Sequence, residues 1–299
     1  MYEIGLPQPV SSLRDGADGA FVMVGEIEFK LEACETPAGV CLQTIPRDSY
    51  SRHVPSNALP DGFIAMAESG DIRNAWYGQP TDRYAHGVLG DAIEGGSLVA
   101  VTADGKKSEF VLPEDQVFED ITPRIYDLDG DGTNEIITIR SSQAGGSALV
   151  LYGIRAGELM ELGASSENGQ GKRWLSVAGV VDDGEGPATV YAVRTPHIGG
   201  RLFSLTYENG TVTEENDIAG NVSNHVIGSR ELGMSAVGDF DGDGASDLVL
   251  PSQDRMRLRF TLSDMPDIAM PDRIDHAIVI VNGRIVTATR DGMLLVVAP

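Results

Sequence analysis

One segment of the chain repeats further along the sequence, and this internal repeat limits the folds that the chain can adopt. Residues 135–146 align without gaps on residues 189–200, and a third copy begins at residues 237–244. Weaker copies occur at residues 15–24, 61–67, 89–101 and 282–288. Each copy contains strand-sized apolar runs separated by turns, and such a unit cannot bury both of its faces by itself. The units must therefore stack against one another.

The repeated units predict an all-β chain. Runs such as Ile136–Ile139, Leu248–Leu250 and Leu294–Val297 have strand length and are rich in apolar and β-branched residues. No convincing amphipathic helix longer than about two turns is visible. A β-propeller stacks such units without leaving long exposed edges. We expect a single propeller domain over residues 1–299, with the N-terminal segment completing the last blade. Seven blades are favoured because seven candidate inner strands can be counted, and six is the alternative.

Two turns between strands carry four carboxylates each, at positions 1, 3, 5 and 9, with glycine at position 6. Position 7 can offer its carbonyl oxygen, so that the loop supplies the several oxygen ligands that Ca²⁺ needs. An EF-hand is rejected because position 12 is Thr138 in one turn and Leu250 in the other. The sequence therefore predicts two Ca²⁺ sites with a structural role. Their ligands are Asp127, Asp129, Asp131, Thr133 and Glu135 in the first turn, and Asp239, Asp241, Asp243, Ala245 and Asp247 in the second.

The alternative to a metal site is an Asp-Gly turn that binds no ion. Four carboxylates within nine residues would repel one another without a cation, which favours the metal. The related turns at 91–97 and 181–189 have lost ligands or glycine spacing, and we expect no tight site in either.

These turns resemble the FG-GAP/VCBS repeat family, a propeller type also seen in integrin α chains. The resemblance rests on residues 127–135 and 239–247, each followed by an apolar strand, and it is best over residues 90–262. It implies a Ca²⁺-stabilised propeller that is usually extracellular, periplasmic or on the cell surface. Such propellers often serve adhesion or ligand binding, and some relatives lie beside carbohydrate-active modules.

The two cysteines, Cys34 and Cys41, flank a short segment between two strand-like stretches. This spacing predicts a disulfide across a hairpin, which would stabilise the fold by about 2–3 kcal/mol. The alternative is a pair of buried free thiols in a cytosolic protein. A disulfide, together with the family resemblance, predicts a periplasmic or extracellular protein whose signal peptide has been removed.

The charge of the chain excludes two classes of partner. Acidic residues number 45 against 22 basic ones, for a formal charge of -23. Nucleic-acid binding and docking to anionic membranes both need clustered Lys and Arg, which the sequence does not contain. No apolar run approaches the roughly 20 residues that cross a bilayer, so we expect no membrane insertion.

The candidate ligand-binding residues are aromatic, histidine and arginine side chains in three clusters between strands. No zinc-type histidine pair, Gly-x-Ser-x-Gly elbow or Walker loop is present. In a propeller, equivalent segments converge on one face, where such side chains can bind a sugar or a peptide. The alternative is hydrogen bonding and ring packing between blades. The candidates are Trp76, Tyr84, His86, Arg194, His197, His225 and Arg230.

The sequence therefore favours a binding module for a protein or a glycan. One alternative is a polysaccharide lyase or hydrolase that uses His86, His197 or His225 with Arg194 or Arg230, and another is a structural component of a larger assembly. An inward-facing cluster of His and Arg in one pocket would favour the enzyme, whereas an exposed, aromatic-rimmed face would favour binding.

Overall fold

A computed structural model describes residues 1–16, 18–45 and 55–298. Within these ranges the regular structure consists of 25 β-strands, without α-helices, and every strand pairing is antiparallel. The predicted all-β class is therefore confirmed. No helix in the described part of the chain is long and apolar enough to cross a membrane.

All strands but one form six meanders of four strands, which are called sheets I to VI; the remaining strand joins sheets II and III into one nine-stranded sheet. Sheet I contains β2 (Val10–Arg14), β3 (Phe21–Val24), β4 (Ile27–Ala33) and β5 (Val40–Thr44). Sheet II contains β6 (Ala65–Met66), β7 (Ile72–Thr81), β8 (Glu94–Thr102) and β9 (Lys107–Val111). Sheet III contains β11 (Arg124–Tyr126), β12 (Glu135–Ser142), β13 (Gly146–Arg155) and β14 (Glu158–Ala164). The short strand β10 (Gln116–Phe118) pairs with β8 and β12, and so joins sheets II and III.

The second half of the chain continues the pattern. Sheet IV contains β15 (Leu175–Val181), β16 (Thr189–Arg194), β17 (Arg201–Glu208) and β18 (Thr211–Gly220). Sheet V contains β19 (Ala236–Gly238), β20 (Asp247–Pro251), β21 (Arg257–Phe260) and β22 (Ile268–Ala269). Sheet VI contains β23 (Ile274–Val281), β24 (Arg284–Thr289), β25 (Leu294–Val297) and β1 (Tyr2–Ile4). Sheet VI thus takes its fourth strand from the N-terminal end, with Tyr2 opposite Val296.

The number of units differs from the favoured expectation of seven, since the described residues form six. The difference arises at residues 61–101, where the sequence analysis counts two weak copies of the repeat. In the structure both copies belong to sheet II, the first supplying β6 and the second supplying β8. A long connection between β7 and β8 separates them in sequence, which made one sheet resemble two units.

Burial changes from strand to strand within a sheet. The middle strands β8, β12, β20 and β24 are buried along nearly their whole length, so both of their faces are covered. The last strands β9 and β18 alternate between exposed and partly buried residues, as expected for strands with one solvated face. The apolar core accordingly lies between neighbouring sheets, for example where Phe118 packs between Tyr77 and Tyr152.

Neighbouring sheets meet near their first strands. β2 contacts β23, β23 contacts β19, and β19 contacts β15. A cavity of about 340 Å³ lies among β15, β19 and β23 and is also lined by Asp15. In an antiparallel meander successive turns lie at opposite ends of the sheet. The turns after the first strands therefore share one end of the molecule, and the turns after the second strands share the other.

The predicted disulfide is confirmed. Cys34 and Cys41 are bonded across the connection from β4 to β5, with their Cα atoms 5.8 Å apart, and no cysteine is free. Gly39 closes the turn with φ of 70°, a left-handed conformation that glycine adopts without steric cost. Its N–H donates to the carbonyl oxygen of Thr36 at 2.8 Å.

Candidate functional site

The two acidic turns lie at the same end of sheets III and V, between the first and second strand of each sheet. In the sheet III turn, residues 127–135, oxygens of Asp127, Asp129 and Glu135 approach within 4.8 Å of one another. In the sheet V turn, residues 239–247, the corresponding group is Asp239, Asp241 and Asp243. These are the groups in the described chain that can hold a metal ion, and both coincide with predicted sites.

The backbone of both turns is shaped by the same four hydrogen bonds. In each bond a side-chain carboxylate accepts a backbone N–H. The carboxylate at position 1 accepts the N–H of position 6, and the carboxylate at position 3 accepts the N–H of position 5. The carboxylate at position 5 accepts the N–H of position 7, and the carboxylate at position 9 accepts the N–H of position 2. Glycine at positions 4 and 6 has positive φ in each turn, as this tight path requires. The repeated spacing of acidic residues and glycines therefore produces one loop geometry twice.

The donor set of the sheet III turn fits a hard cation. Asp127 Oδ1 is buried and has no hydrogen-bond partner, which is costly unless a ligand occupies it. Burial raises the pKa of Glu135 to about 7, and its carboxylate also receives a hydrogen bond from Arg155. A bound cation would keep this carboxylate ionised. Thr133 and Ala245 occupy position 7, and their N–H groups are held by the carboxylates of Asp131 and Asp243.

The turn of sheet IV at residues 181–189, which has lost metal ligands, forms hydrogen bonds to neighbouring sheets instead. Asp182 accepts hydrogen bonds from the N–H of Gly184 and from the hydroxyl of Tyr126 in sheet III. Asp183 accepts the N–H of Ser246, which lies inside the sheet V turn, at 3.1 Å. Asp71 of sheet II accepts the N–H of Asn134 in the sheet III turn in the same way. These carboxylates link a neighbouring sheet to each metal-type turn.

Three of the predicted histidines meet at the opposite end of the molecule. His86 lies between β7 and β8, His197 between β16 and β17, and His225 between β18 and β19. His86 and His197 line one pocket, and His197 and His225 line another. Because the acidic turns lie at the other end of their sheets, a metal bound there would be remote from these histidines.

His197 and His225 form a stacked, hydrogen-bonded group with Trp174. The rings of His197 and Trp174 are parallel within 4°, with centroids 5.9 Å apart, and His225 packs against the same indole at 4.6 Å. His197 Nε2 lies 2.8 Å from His225 Nδ1, and His225 Nε2 lies 2.9 Å from the carbonyl oxygen of Ser229. Since a carbonyl only accepts, His225 Nε2 carries the proton and a neutral His225 accepts at Nδ1. His197 therefore donates from Nε2, and its Nδ1 is left as an acceptor.

Burial keeps this pair uncharged at neutral pH. It lowers the pKa of His197 to about 4, with a further contribution from His86 and Arg255. It lowers the pKa of His225 to about 3, and the nearby His197 and Arg255 act in the same direction. The cluster thus offers neutral ring nitrogens rather than positive charge.

His86 is held by Glu119, a fully buried carboxylate that follows β10. His86 Nδ1 lies 2.5 Å from Glu119 Oε1, while Glu119 Oε2 accepts the hydroxyl of Ser141. The carbonyl oxygen of Glu119 also accepts the indole N–H of Trp174 at 2.9 Å. With Nδ1–H donated to the carboxylate, the Nε2 atom of His86 remains available. Glu119 therefore orients both His86 and the platform under His197.

Two pockets adjoin at His197 and Ile227, and together they are called the histidine groove. The arginine pocket has a volume of about 260 Å³ and is lined by His197, His225, Arg255 and Arg273, among others. The tryptophan pocket has a volume of about 110 Å³, and its lining residues are His86, Lys172, Arg173, Trp174, Thr195, His197, Ile198 and Ile227.

The remaining ligand candidates lie in different surroundings. Tyr84 is buried beside His86, and its hydroxyl accepts the N–H of Lys172, so it supports the groove from behind. Arg194 stacks on Phe203 and pairs with Glu214 at 2.7 Å. Arg230 pairs with Asp61 and Asp91. Trp76 is buried in β7 beneath the ammonium group of Lys107. The structure therefore brings His86, His197 and His225 together, but not Trp76, Arg194 or Arg230.

Comparisons with known proteins do not assign a family. No protein-family model matches the sequence, and no curated protein matches it. Three solved structures show distant likeness: the exotype rhamnogalacturonan lyase YesX (14% identity, TM-score 0.43), the rhamnogalacturonan lyase YesW (12%, 0.38) and the Bacillus licheniformis rhamnogalacturonan lyase PL11 (15%, 0.42). The alignments cover 99%, 86% and 94% of this chain but only 50%, 59% and 58% of those chains. With TM-scores below 0.5, these resemblances establish neither a common fold nor a common activity.

The sequence analysis missed residues that line the groove or support it. Glu119, which holds His86, stands with Asp120 between Phe118 and Ile121, and a charged pair inside an apolar run is a usable signal for buried, partnered carboxylates. Arg255 and Arg273 gave no such signal, because each lies in an ordinary polar turn. Only the packing of sheets V and VI places them beside His225.

Proposed function

We propose that the six sheets are the blades of a single β-propeller over residues 1–299. The contacts between first strands of successive sheets support this arrangement, because the inner strands of a propeller surround its axis. The pairing of β1 with β25 supports closure within the last blade, with one strand from each end of the chain. The disulfide supports a periplasmic or extracellular location, where such bonds persist.

We propose that the acidic turns of sheets III and V each bind one Ca²⁺. The buried, unpartnered Oδ1 of Asp127 and the converging carboxylates support this assignment, since Ca²⁺ takes oxygen ligands in flexible loops. The bound ion would neutralise the carboxylates and fix the turns, to which Asp71 and Asp183 connect the neighbouring blades. Its role is structural, because the histidine groove lies at the other end of the sheets.

We propose that the protein binds a glycan in the histidine groove. The convergence of His86, His197 and His225 from separate connections into one concave site carries this proposal. Sugars present hydroxyl groups and apolar C–H faces together. The groove offers the ring nitrogens of the histidines to the hydroxyl groups, and the exposed side chains of Ile198 and Ile227 to the C–H faces.

A glycan array probed with and without Ca²⁺ tests this proposal, followed by calorimetry with the oligosaccharides that bind. Replacing His197 by Ala should reduce affinity at least tenfold, because it removes a ring acceptor and one wall shared by the two pockets. Arg257→Gln is the control, since Arg257 is exposed on sheet V and lines neither pocket of the groove. Absence of binding to any saccharide, with the protein folded and calcium present, would refute the proposal.

A second candidate function is a polysaccharide-active lyase or hydrolase. The pairing of His86 with the buried Glu119 favours it, because a carboxylate that fixes one ring nitrogen leaves the other positioned to accept a proton. Incubation with polysaccharides would then generate new reducing ends, and a lyase would also generate a conjugated C=C bond detectable by absorbance. His86→Ala should abolish product formation while Arg257→Gln leaves it intact. Binding without any product from a panel of acidic and neutral polysaccharides would leave only the binding function.

A further inference from the structure

The basic side chains of this acidic protein are unevenly engaged. Most arginines in the described chain are neutralised by ion pairs, among them Arg14, Arg124, Arg140, Arg194 and Arg230. A minority of the basic side chains make no ion pair within the described residues, among them the exposed Lys172, Arg173 and Arg273, and also Arg257 outside the groove. Lys172, Arg173 and Arg273 line the histidine groove. In a chain with a formal charge of -23, unpaired cations gathered at one concave site point to an anionic ligand.

The residues that carry these cations line both pockets of the groove. Arg273 lies in the arginine pocket with Arg255, whose guanidinium forms an ion pair with Asp275 and donates a hydrogen bond to the carbonyl oxygen of Ile274. Arg273 is thus the unpaired cation of this pocket. Burial and the adjacent Arg273 lower the pKa of Arg255, so an anion placed between the two guanidinium groups would relieve their repulsion. Asp254 also lines this pocket, but its carboxylate already accepts hydrogen bonds from Ser252 and Met256.

The other end of the groove is built by the connection from β14 to β15. Lys172 has a φ of 62°, and its N–H is held by the hydroxyl of Tyr84 at 2.7 Å. A non-glycine residue in this conformation has to be supported by its surroundings. Lys172 and Arg173 therefore line the tryptophan pocket from a backbone that is anchored to the β7–β8 connection.

Between the two ends lies a stretch without charge. His197 is shared by both pockets and is neutral, and Ile227 lines both pockets beside it. A neutral acceptor and an apolar wall suit the hydroxyl groups and C–H face of a sugar ring. The groove thus has cationic residues in each pocket and a neutral surface between them.

We propose that the groove binds the interior of an acidic polysaccharide, with one carboxylate held by Arg255 and Arg273 and a second held by Lys172 and Arg173 on the other side of His197. This inference rests on the proposed glycan-binding function and specifies its ligand as a uronate-bearing chain. The planar fork of arginine matches a carboxylate, which favours uronates over neutral sugars. At least two charged groups are required to occupy both ends.

Calorimetry with calcium-saturated protein tests this assignment, using uronate oligosaccharides of increasing length, sulfated oligosaccharides and neutral oligosaccharides. Arg273→Gln and Lys172→Gln should each weaken uronate binding about tenfold and reduce its dependence on salt concentration. Arg257→Gln removes the same charge from an exposed, unpaired arginine outside the groove and should change neither property. Unfolding curves of the three variants establish that each one is folded.

The outcomes distinguish this inference from the proposed function. Neutral oligosaccharides that bind as tightly as uronates would overturn the acidic ligand but retain glycan binding. Preference for the sulfated series would overturn the assignment to carboxylates. Equal affinity for a single uronic acid and for longer chains, or an effect of only one of the two variants, would overturn the two-ended groove. Failure of every saccharide to bind would overturn the proposed function itself.

Discussion

Calcium should raise the thermal stability of this protein by an amount that can be divided between two turns. At a free Ca²⁺ concentration 100 times the dissociation constant, each site adds about 2.7 kcal/mol to the free energy of unfolding. For a chain of 299 residues, the entropy of unfolding converts this into about 4 °C in Tm per site, and about 8 °C for two. Differential scanning calorimetry after EDTA treatment, and again after adding Ca²⁺, measures the increment.

Two aspartate substitutions separate the metal effect from ordinary hydrogen bonding. Asp241→Ala removes a carboxylate from the sheet V turn and should halve the calcium increment to about 4 °C. Without calcium it should cost little, because removing one of four crowded carboxylates also relieves repulsion. Asp183→Ala loses the hydrogen bond to the N–H of Ser246, worth about 1 kcal/mol, and should lower Tm by about 2 °C with or without calcium.

The pair of variants makes the reasoning refutable. An unchanged Tm after complete metal removal would exclude calcium binding at both turns. Equal loss of the calcium increment in the Asp241 and Asp183 variants would show that the sheet IV turn takes part in binding. A full increment in Asp241→Ala would show that the sheet V turn holds no ion.

Three further predictions concern the disulfide, the histidine pair and Arg194. Cys34→Ser combined with Cys41→Ser should lower the free energy of unfolding by about 2.5 kcal/mol in urea titrations. A thiol assay on the unaltered protein, denatured without reduction, should find no free sulfhydryl. Burial holds the pKa of His225 at about 3, so the unfolded chain binds a proton at this histidine more readily than the folded protein does. The free energy of unfolding should therefore decline as pH falls below about 6.5, by up to about 1.4 kcal/mol per pH unit. His225→Asn should flatten this slope. Arg194→Ala should cost about 2 kcal/mol through its contacts with Glu214 and Phe203, yet leave glycan affinity unchanged; weaker binding at unchanged stability would contradict its structural role.

The acidic turns were predictable because their chemistry is local. A run of nine residues contains all the carboxylates and glycines that shape each loop, and the same four hydrogen bonds form in both copies. The hairpin around Cys34 and Cys41 is equally local, since two short strands and one turn determine the distance between the sulfurs. The strands themselves follow from apolar runs of limited length.

The groove was predictable only in part. The sequence singled out His86, His197 and His225 because they lie in clusters of aromatic, histidine and arginine side chains between strands, and Arg194 and Arg230 belong to the same clusters. These two arginines line neither pocket of the groove, because ion pairs with Glu214, Asp61 and Asp91 hold them elsewhere. Pairing of this kind depends on which connections become neighbours, and nothing local encodes it.

The sequence by itself determined the all-β class, the disulfide and the two acidic turns, because hydrogen-bond geometry, strand length and loop closure act over a few residues. The tertiary structure decided that six sheets form, since the connection between β7 and β8 separates two strands of one sheet. It also decided that Glu119, Arg255 and Arg273 join the histidines. These residues come from different sheets, and only the order and packing of those sheets bring their side chains to one groove.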